Sequence, residues 1–214
     1  GSASMEMYGG TISGNTSSTY GGGIMVLGRA SLLMNDGKII NNSAKIGGGI
    51  ATYDLYYQGG ANEAFTHEEW KQFVNTKFTM NGGTVSGNHA VYDEVTDGGC
   101  GGGIYVGSDD VVINAGNITD NIADRQGGGL YVGSVPYTMY IYDALITENP
   151  ATILGGGLWF CPTGDAENTV TNGGAIFGNK AENSDVSIGA AGDDFVAVPQ
   201  NDKNHLVSLA DRML

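Results

Sequence analysis

The sequence predicts an all-β fold, a parallel β-helix of about six stacked coils with three short strands per coil and a short helix in one insertion. Three observations predict it. A Gly/Asn mark recurs with constant internal spacing, a Gly triplet alternates with that mark, and apolar residues between the marks alternate with a period of two.

The first mark is a Gly (or Ala) followed five residues later by Asn: Gly10/Asn15, Gly37/Asn42, Gly83/Asn88, Gly116/Asn121, Ala144/Asn149 and Gly174/Asn179. Two residues after the Gly stands a branched apolar side chain: Ile12, Ile39, Val85, Ile118, Ile146 and Ile176. The second mark is Gly-Gly-Gly followed by an apolar residue, at 21–24, 47–50, 101–104, 127–130 and 155–158. The two alternate to give a unit of about 27 residues, the size of one solenoid coil. Within units, pairs such as Met5/Met7, Leu32/Met34, Phe78/Met80, Val111/Ile113 and Met139/Ile141 alternate as a strand requires. In the fourth unit the three strands read Val111 to Asn114, Asn117 to Thr119 and Leu130 to Val132. A single coil has no partner for its inward residues. Stacking coils pairs each strand with its copies above and below. Gly triplets then suit a corner where coils approach closely. The recurrent Asn15, Asn42, Asn88, Asn121, Asn149 and Asn179 form a structural ladder whose amides satisfy corner backbone groups.

Domain organisation follows from the marks. Residues 1–4 read as a cloning scar, residues 5–191 as the solenoid, and residues 192–214 as a C-terminal capping segment truncated from a larger protein. Thirty-seven Gly and only 4 Pro, with no three-residue period, exclude collagen. Nine basic against 23 acidic residues give a net charge of −14, which repels nucleic acid and anionic membrane surfaces. No apolar run is long enough for a membrane span. Cys100 and Cys161 fall at different points of the coil, so both are expected as thiols.

Two insertions interrupt the repeat, at about 53–75 and 89–100. The first holds Thr66-His67-Glu68-Glu69-Trp70-Lys71-Gln72-Phe73, where Thr66 and Glu69 form a capping box and open a short helix. That helix is either a flap docking Trp70 and Phe73 onto the stack or a lid over a ligand groove. The second carries Asp93, Glu94 and Asp97 and is expected to protrude; these acids are the candidates for a Ca²⁺ site, although no EF-hand or nonapeptide spacing accompanies them. No other cofactor is indicated.

Alternation places the residue after each Gly-triplet apolar position outward, giving the column Met25, Ala51, Tyr105, Tyr131 and Trp159. The last three, with Trp70, are the candidate ligand-binding residues: flat rings along a rigid stack suit the apolar faces of a glycan, or else they simply cover the coil surface. Tyr8, Tyr140 and Tyr142 add aromatics on another face. Catalysis has less to stand on. Only Arg125 of the three Arg sits amid carboxylates, Asp109 and Asp110 are adjacent and so point to opposite faces, and His67, His89 and His205 lie outside the regular pattern. No catalytic residue is assigned.

The phrases GGTISGN…GGGIMV and GGTVSGN…GGGIYV resemble β-helix repeats in large adhesin-like surface proteins of gut Firmicutes. They are also similar to the repeats of chlamydial polymorphic outer-membrane proteins; Gly173-Gly174-Ala175-Ile176 matches the GGAI element, while Phe177-Gly178-Asn179 is one residue short of FxxN. The resemblance implies right-handed coils, a secreted or wall-attached location, and an adhesive role towards a host or bacterial glycan or surface protein. It carries over no site residues. The expected function is therefore a non-catalytic, monomeric adhesin-like module, with a polysaccharide lyase or glycoside hydrolase (or its accessory domain) and a plain stalk as the alternatives.

Overall fold

A computed structural model describes residues 2–54, 76–108, 110–133, 139–160, 169–182, 192–197 and 207–210. The helix expected at Thr66–Phe73, with Trp70, lies outside the described residues, as do Asp109, Cys161, His67 and His205.

Among the described residues the fold is all-β without a helix, and every strand pairing is parallel. The strands fall into a nine-stranded, a six-stranded and a five-stranded sheet. Each repeat contributes to all three before the chain returns to the first. One repeat thus runs through Val111–Thr119, Ile122–Ala123 and Leu130–Val132, and the next through Met139–Thr147, Pro150–Ala151 and Leu158–Phe160.

This differs from the predicted strand division. The stretches read as two strands, Val111 to Asn114 and Asn117 to Thr119, belong to one sheet and here form a single strand. The third strand is instead a two-residue pair just after each ladder Asn. Its second residue stacks as Ala44, Ala90, Ala123, Ala151 and Ala181, every one buried. The glycine corner presses on the other residue of each pair: a Cβ on Gly48, Gly102 or Gly128 would fall 2.4–2.6 Å from the backbone of His89, Ile122 or Pro150.

Period-two alternation sends one set of side chains inward. Leu32, Phe78, Val111 and Met139 make one buried column, Met34, Met80, Ile113 and Ile141 the next, and Ile39, Val85, Ile118 and Ile146 a third. Each such side chain stabilises by roughly 1.5–3 kcal/mol on leaving water. The core is a stack of like on like, not a meeting of distant segments.

The asparagines stand on one another. The backbone N–H and Nδ2 of Asn88 both donate to Asn121 Oδ1 (3.1 and 2.9 Å), and those of Asn121 donate to Asn149 Oδ1 (3.0 and 3.0 Å). The second Nδ2 hydrogen goes down to a strand carbonyl, as from Asn121 to Val85 at 2.9 Å. The pattern runs unbroken from Asn15 through Asn42 to Asn179. These side chains replace the hydrogen bonds that a turning backbone forfeits.

Two glycine requirements shape the corners. The middle triplet residue touches the next layer: a Cβ on Gly102 would fall 2.4 Å from Ile122 O and 2.5 Å from Gly128 O. The residue before each ladder Asn is left-handed, as Gly14, Asn41, Gly87, Asp120, Glu148 and Gly178, with φ between 55° and 69°.

Both ends carry strand pairing. Ala3 and Ser4, read as scar, pair with Ala30 and Ser31 in the strand Ala3–Ser13. The tail continues the repeat beyond Gly192. Gly192 has φ 59° like the first triplet glycines, Phe195–Ala197 pairs with Leu158–Phe160, and Val207–Ala210 pairs with Thr169–Asn172. Gly192-Asp193-Asp194-Phe195 therefore takes the place of a Gly-Gly-Gly-apolar mark. Asp194 Oδ1 accepts from the Asn179 backbone N–H and Nδ2 (both 3.0 Å), and Asp193 Oδ1 accepts from Ala181 N–H at 2.8 Å. The two carboxylates thus end the Asn ladder and the alanine sheet.

Candidate functional site

The aromatic column forms in register: Met25 pairs with Ala51, Ala51 with Tyr105, Tyr105 with Tyr131 and Tyr131 with Trp159. Tyr105 and Tyr131 stack at 5.3 Å between ring centres with planes 14° apart. The expectation of an open strip is corrected, because Tyr105 is only 7% and Trp159 only 3% exposed, with Tyr131 half-buried. The left-handed first glycine of each triplet folds the corner back against the roots of these side chains. A Cβ on Gly127 or Gly155 would lie 2.9 Å from the Cβ of Tyr131 or Trp159. The residue just before the triplet completes the cover. Leu154, with Ile153, packs on Trp159, and the Tyr20 ring sits 6.3 Å edge-on to Tyr105 and 5.0 Å from Tyr53. Burial and the neighbouring Tyr20 hold the Tyr53 hydroxyl protonated well above the usual phenol range.

A cleft opens beside this cluster. It encloses about 360 Å³ and is lined by Thr19, Tyr20, Lys45, Ile46, Thr96, Asp97, Gly98 and Cys100. One wall is built by the stack, since Tyr20, Ile46 and Cys100 occupy the same corner position in successive layers and are bridged in parallel. The opposite wall is the second insertion. Its boundary shifts from the sequence reading, for His89 and Ala90 belong to the narrow sheet, where His89 pairs with Ser43 and Ile122. His89 is thus inside the regular pattern, and the loop proper runs over 91–99, with Val95 at its tip 90% exposed.

That loop is tied down from several sides. Gly99 N–H donates to Lys45 O at 2.8 Å and to Val91 O at 3.1 Å. Asp124 accepts from Tyr92 N–H through Oδ2 (2.9 Å) and meets His89 Nε2 through Oδ1 (2.6 Å). Arg125 pairs with Asp97 and lies 5.3 Å over the Tyr92 ring. Lys45 Nζ donates to Thr96 Oγ1. The cleft therefore has a ring and aliphatic floor, an ammonium and a carboxylate at its rim, and the half-buried Cys100 thiol 3.6 Å from Gly98 O.

Two of the three acids proposed for Ca²⁺, Asp93 and Asp97, are engaged locally. Asp93 Oδ1 accepts from Thr96 Oγ1 (2.7 Å), Thr96 N–H (3.0 Å) and Val95 N–H (3.1 Å), and these bonds, the hydroxyl's first, hold its carboxyl below the usual range. With Asp97 turned to Arg125, no three His, Cys, Asp or Glu side chains converge as a metal site among the described residues. Sequence reasoning missed the cleft, because its walls come from one corner position and a loop whose fold-back has no periodic signal.

No family model matches this chain, and neither a curated protein nor a solved structure matches it.

Proposed function

We propose that the chain is a right-handed parallel β-helix of about six coils from an extracellular, adhesin-like surface protein, and that it binds a glycan without cleaving it. The in-register sheets and the Asn ladder support the β-helix reading: they make a stiff stack on which surface groups keep fixed spacing. The observation that carries the binding reading is the cleft. Its 360 Å³ lies in the range of small-ligand sites, with an apolar floor and a few convergent polar groups. The Tyr20 ring offers a surface for the apolar face of a sugar, while Lys45 Nζ, Thr96 Oγ1 and Asp97 stand at the height of its hydroxyls. In this reading Tyr105, stacked on Tyr131, holds Tyr20 in place, and the ring column does not meet ligand.

The test is a glycan array probed with the folded protein, followed by titration of the best glycan against Tyr20→Ala and Lys45→Ala. Loss of roughly tenfold or more in affinity is expected, the scale of a desolvated stacking contact, with circular dichroism showing the fold retained. Binding that survives both substitutions refutes the cleft as the site. No binding to any glycan refutes the function and leaves a stalk.

A further inference from the structure

A second surface, on the outer face of the nine-stranded sheet, has a different construction. Two outward columns run side by side across it. One is Leu33, Thr79, Val112 and Tyr140, paired in register from layer to layer. The other is Asn35, Asn81, Asn114 and Tyr142, where Asn81 Nδ2 donates to Asn35 Oδ1 (2.8 Å) and Asn114 Nδ2 donates to Asn81 Oδ1 (2.7 Å). Tyr142 follows in place, between the paired Ile141 and Asp143.

The two tyrosines stand in these columns as one platform, with the next strand pairing beyond them through Val170. They lie on the same strand two residues apart, half-exposed, with ring centres 6.3 Å apart and planes 9° from parallel. Core packing does not demand this arrangement, since the inward neighbours Met139 and Ile141 already fill the interior of that strand. The amide ladder also keeps free valence. Each Nδ2 has a second hydrogen, and among the described residues Asn35 Nδ2 makes no bond and Asn114 Oδ1 accepts none.

Charge narrows the occupant. On a chain of net −14, all eight residues of the two columns are uncharged. The charges adjoining the columns are those of Glu6, paired with Leu33, and of the exposed Asp36 and Asp143, next in sequence to Asn35 and Tyr142, while Lys77 and Asp110 stand 3.8 Å apart and offset each other. An anionic polymer meets carboxylates at the edges of the columns and no cation within them. A neutral surface of paired rings and aligned amides suits a chain with apolar faces and many hydroxyls. The columns span four layers, about 14 Å at ordinary strand spacing, so they meet several sugar units at once.

We propose that this face is a second carbohydrate site, a track for an extended neutral polysaccharide whose sugar rings stack on Tyr140 and Tyr142 and whose hydroxyls bond the Asn35–Asn81–Asn114 amides. It shares with the cleft only the premise that the ligand is a carbohydrate.

Affinity electrophoresis of the intact chain in gels containing hydroxyethylcellulose, xyloglucan or, as the anionic comparison, polygalacturonate tests it. Retardation by at least one neutral polymer and not by polygalacturonate is expected, little changed by added salt. The Tyr140→Ala/Tyr142→Ala variant should lose roughly tenfold or more of that affinity, Asn81→Ala a smaller part, and Tyr140→Phe/Tyr142→Phe should keep it, with circular dichroism and melting temperature reporting the fold. Retardation unchanged in the double alanine variant, or absent with both neutral polymers, overturns the track. Tyr20→Ala separates the two sites: binding lost there and kept in the double variant leaves the cleft alone, and the reverse leaves the track alone.

Discussion

Replacing Asn121 with alanine tests whether the amide ladder holds the stack. Asn121 is fully buried, and its side chain makes four hydrogen bonds: Nδ2 to Val85 O (2.9 Å) and Asn149 Oδ1 (3.0 Å), and Oδ1 from Asn88 N–H (3.1 Å) and Nδ2 (2.9 Å). Part of the loss is repaired. Asn149 Oδ1 keeps the Asn121 backbone N–H, and Asn88 Nδ2 keeps Ile39 O. Two donors are left without a partner in a dry interior, the Asn88 backbone N–H and the second hydrogen of its amide, and Val85 O loses one donor. At about 1–3 kcal/mol for each orphaned group, the expected loss is about 3–5 kcal/mol. Asn15→Ala is the control. Asn15 is exposed at the first layer, where water replaces its bonds, so a loss below about 1 kcal/mol is expected there. Urea unfolding measures both. Because stacked repeats can unfold in parts, hydrogen exchange of the Asn88 amide should accompany it. If the two variants differ by less than about 1 kcal/mol, or Asn88 exchange is unaltered, the ladder does not carry the corner.

Gly102→Ala forces a methyl into two carbonyls of the next layer, so stability should fall by about 3 kcal/mol or more, seen as a lower urea midpoint at unchanged slope. Glu148→Gly should raise stability by about 0.5–1 kcal/mol, since relief of a left-handed non-glycine residue exceeds the entropy added to the unfolded chain; a lower melting temperature would refute this. Asp194→Ala removes the acceptor for two Asn179 donors and should speed amide exchange at Asn179 while leaving Asn42 unaffected. The folded carboxyl of Asp93 titrates below its unfolded value, so its hold on the 91–99 loop is present above the ordinary carboxylate range and is lost as pH falls through the lowered folded value. The Val95 and Thr96 amide resonances should move together over that acid window, and Asp93→Asn should abolish the movement.

What the sequence alone determined is whatever repeats. Constant Gly–Asn spacing and period-two alternation act locally in every unit, so they specify a parallel stack in which Ile39 must lie over Val85 and Asn88 over Asn121. The same logic held unread signals: alanine two residues after five of the six ladder asparagines, and Gly-Asp-Asp-Phe standing for a triplet. Tertiary structure decided what covers what. Alternation assigned Tyr105 and Trp159 to the outer side of a strand, but only the fold of the glycine corner put Tyr20, Ile153 and Leu154 over that side. It likewise decided that the acidic insertion turns back to Lys45, Asp124 and Arg125 and walls a cleft. Those contacts join residues unrelated by the repeat. They depend on side-chain volume and loop closure in three dimensions, which periodicity along the chain does not encode.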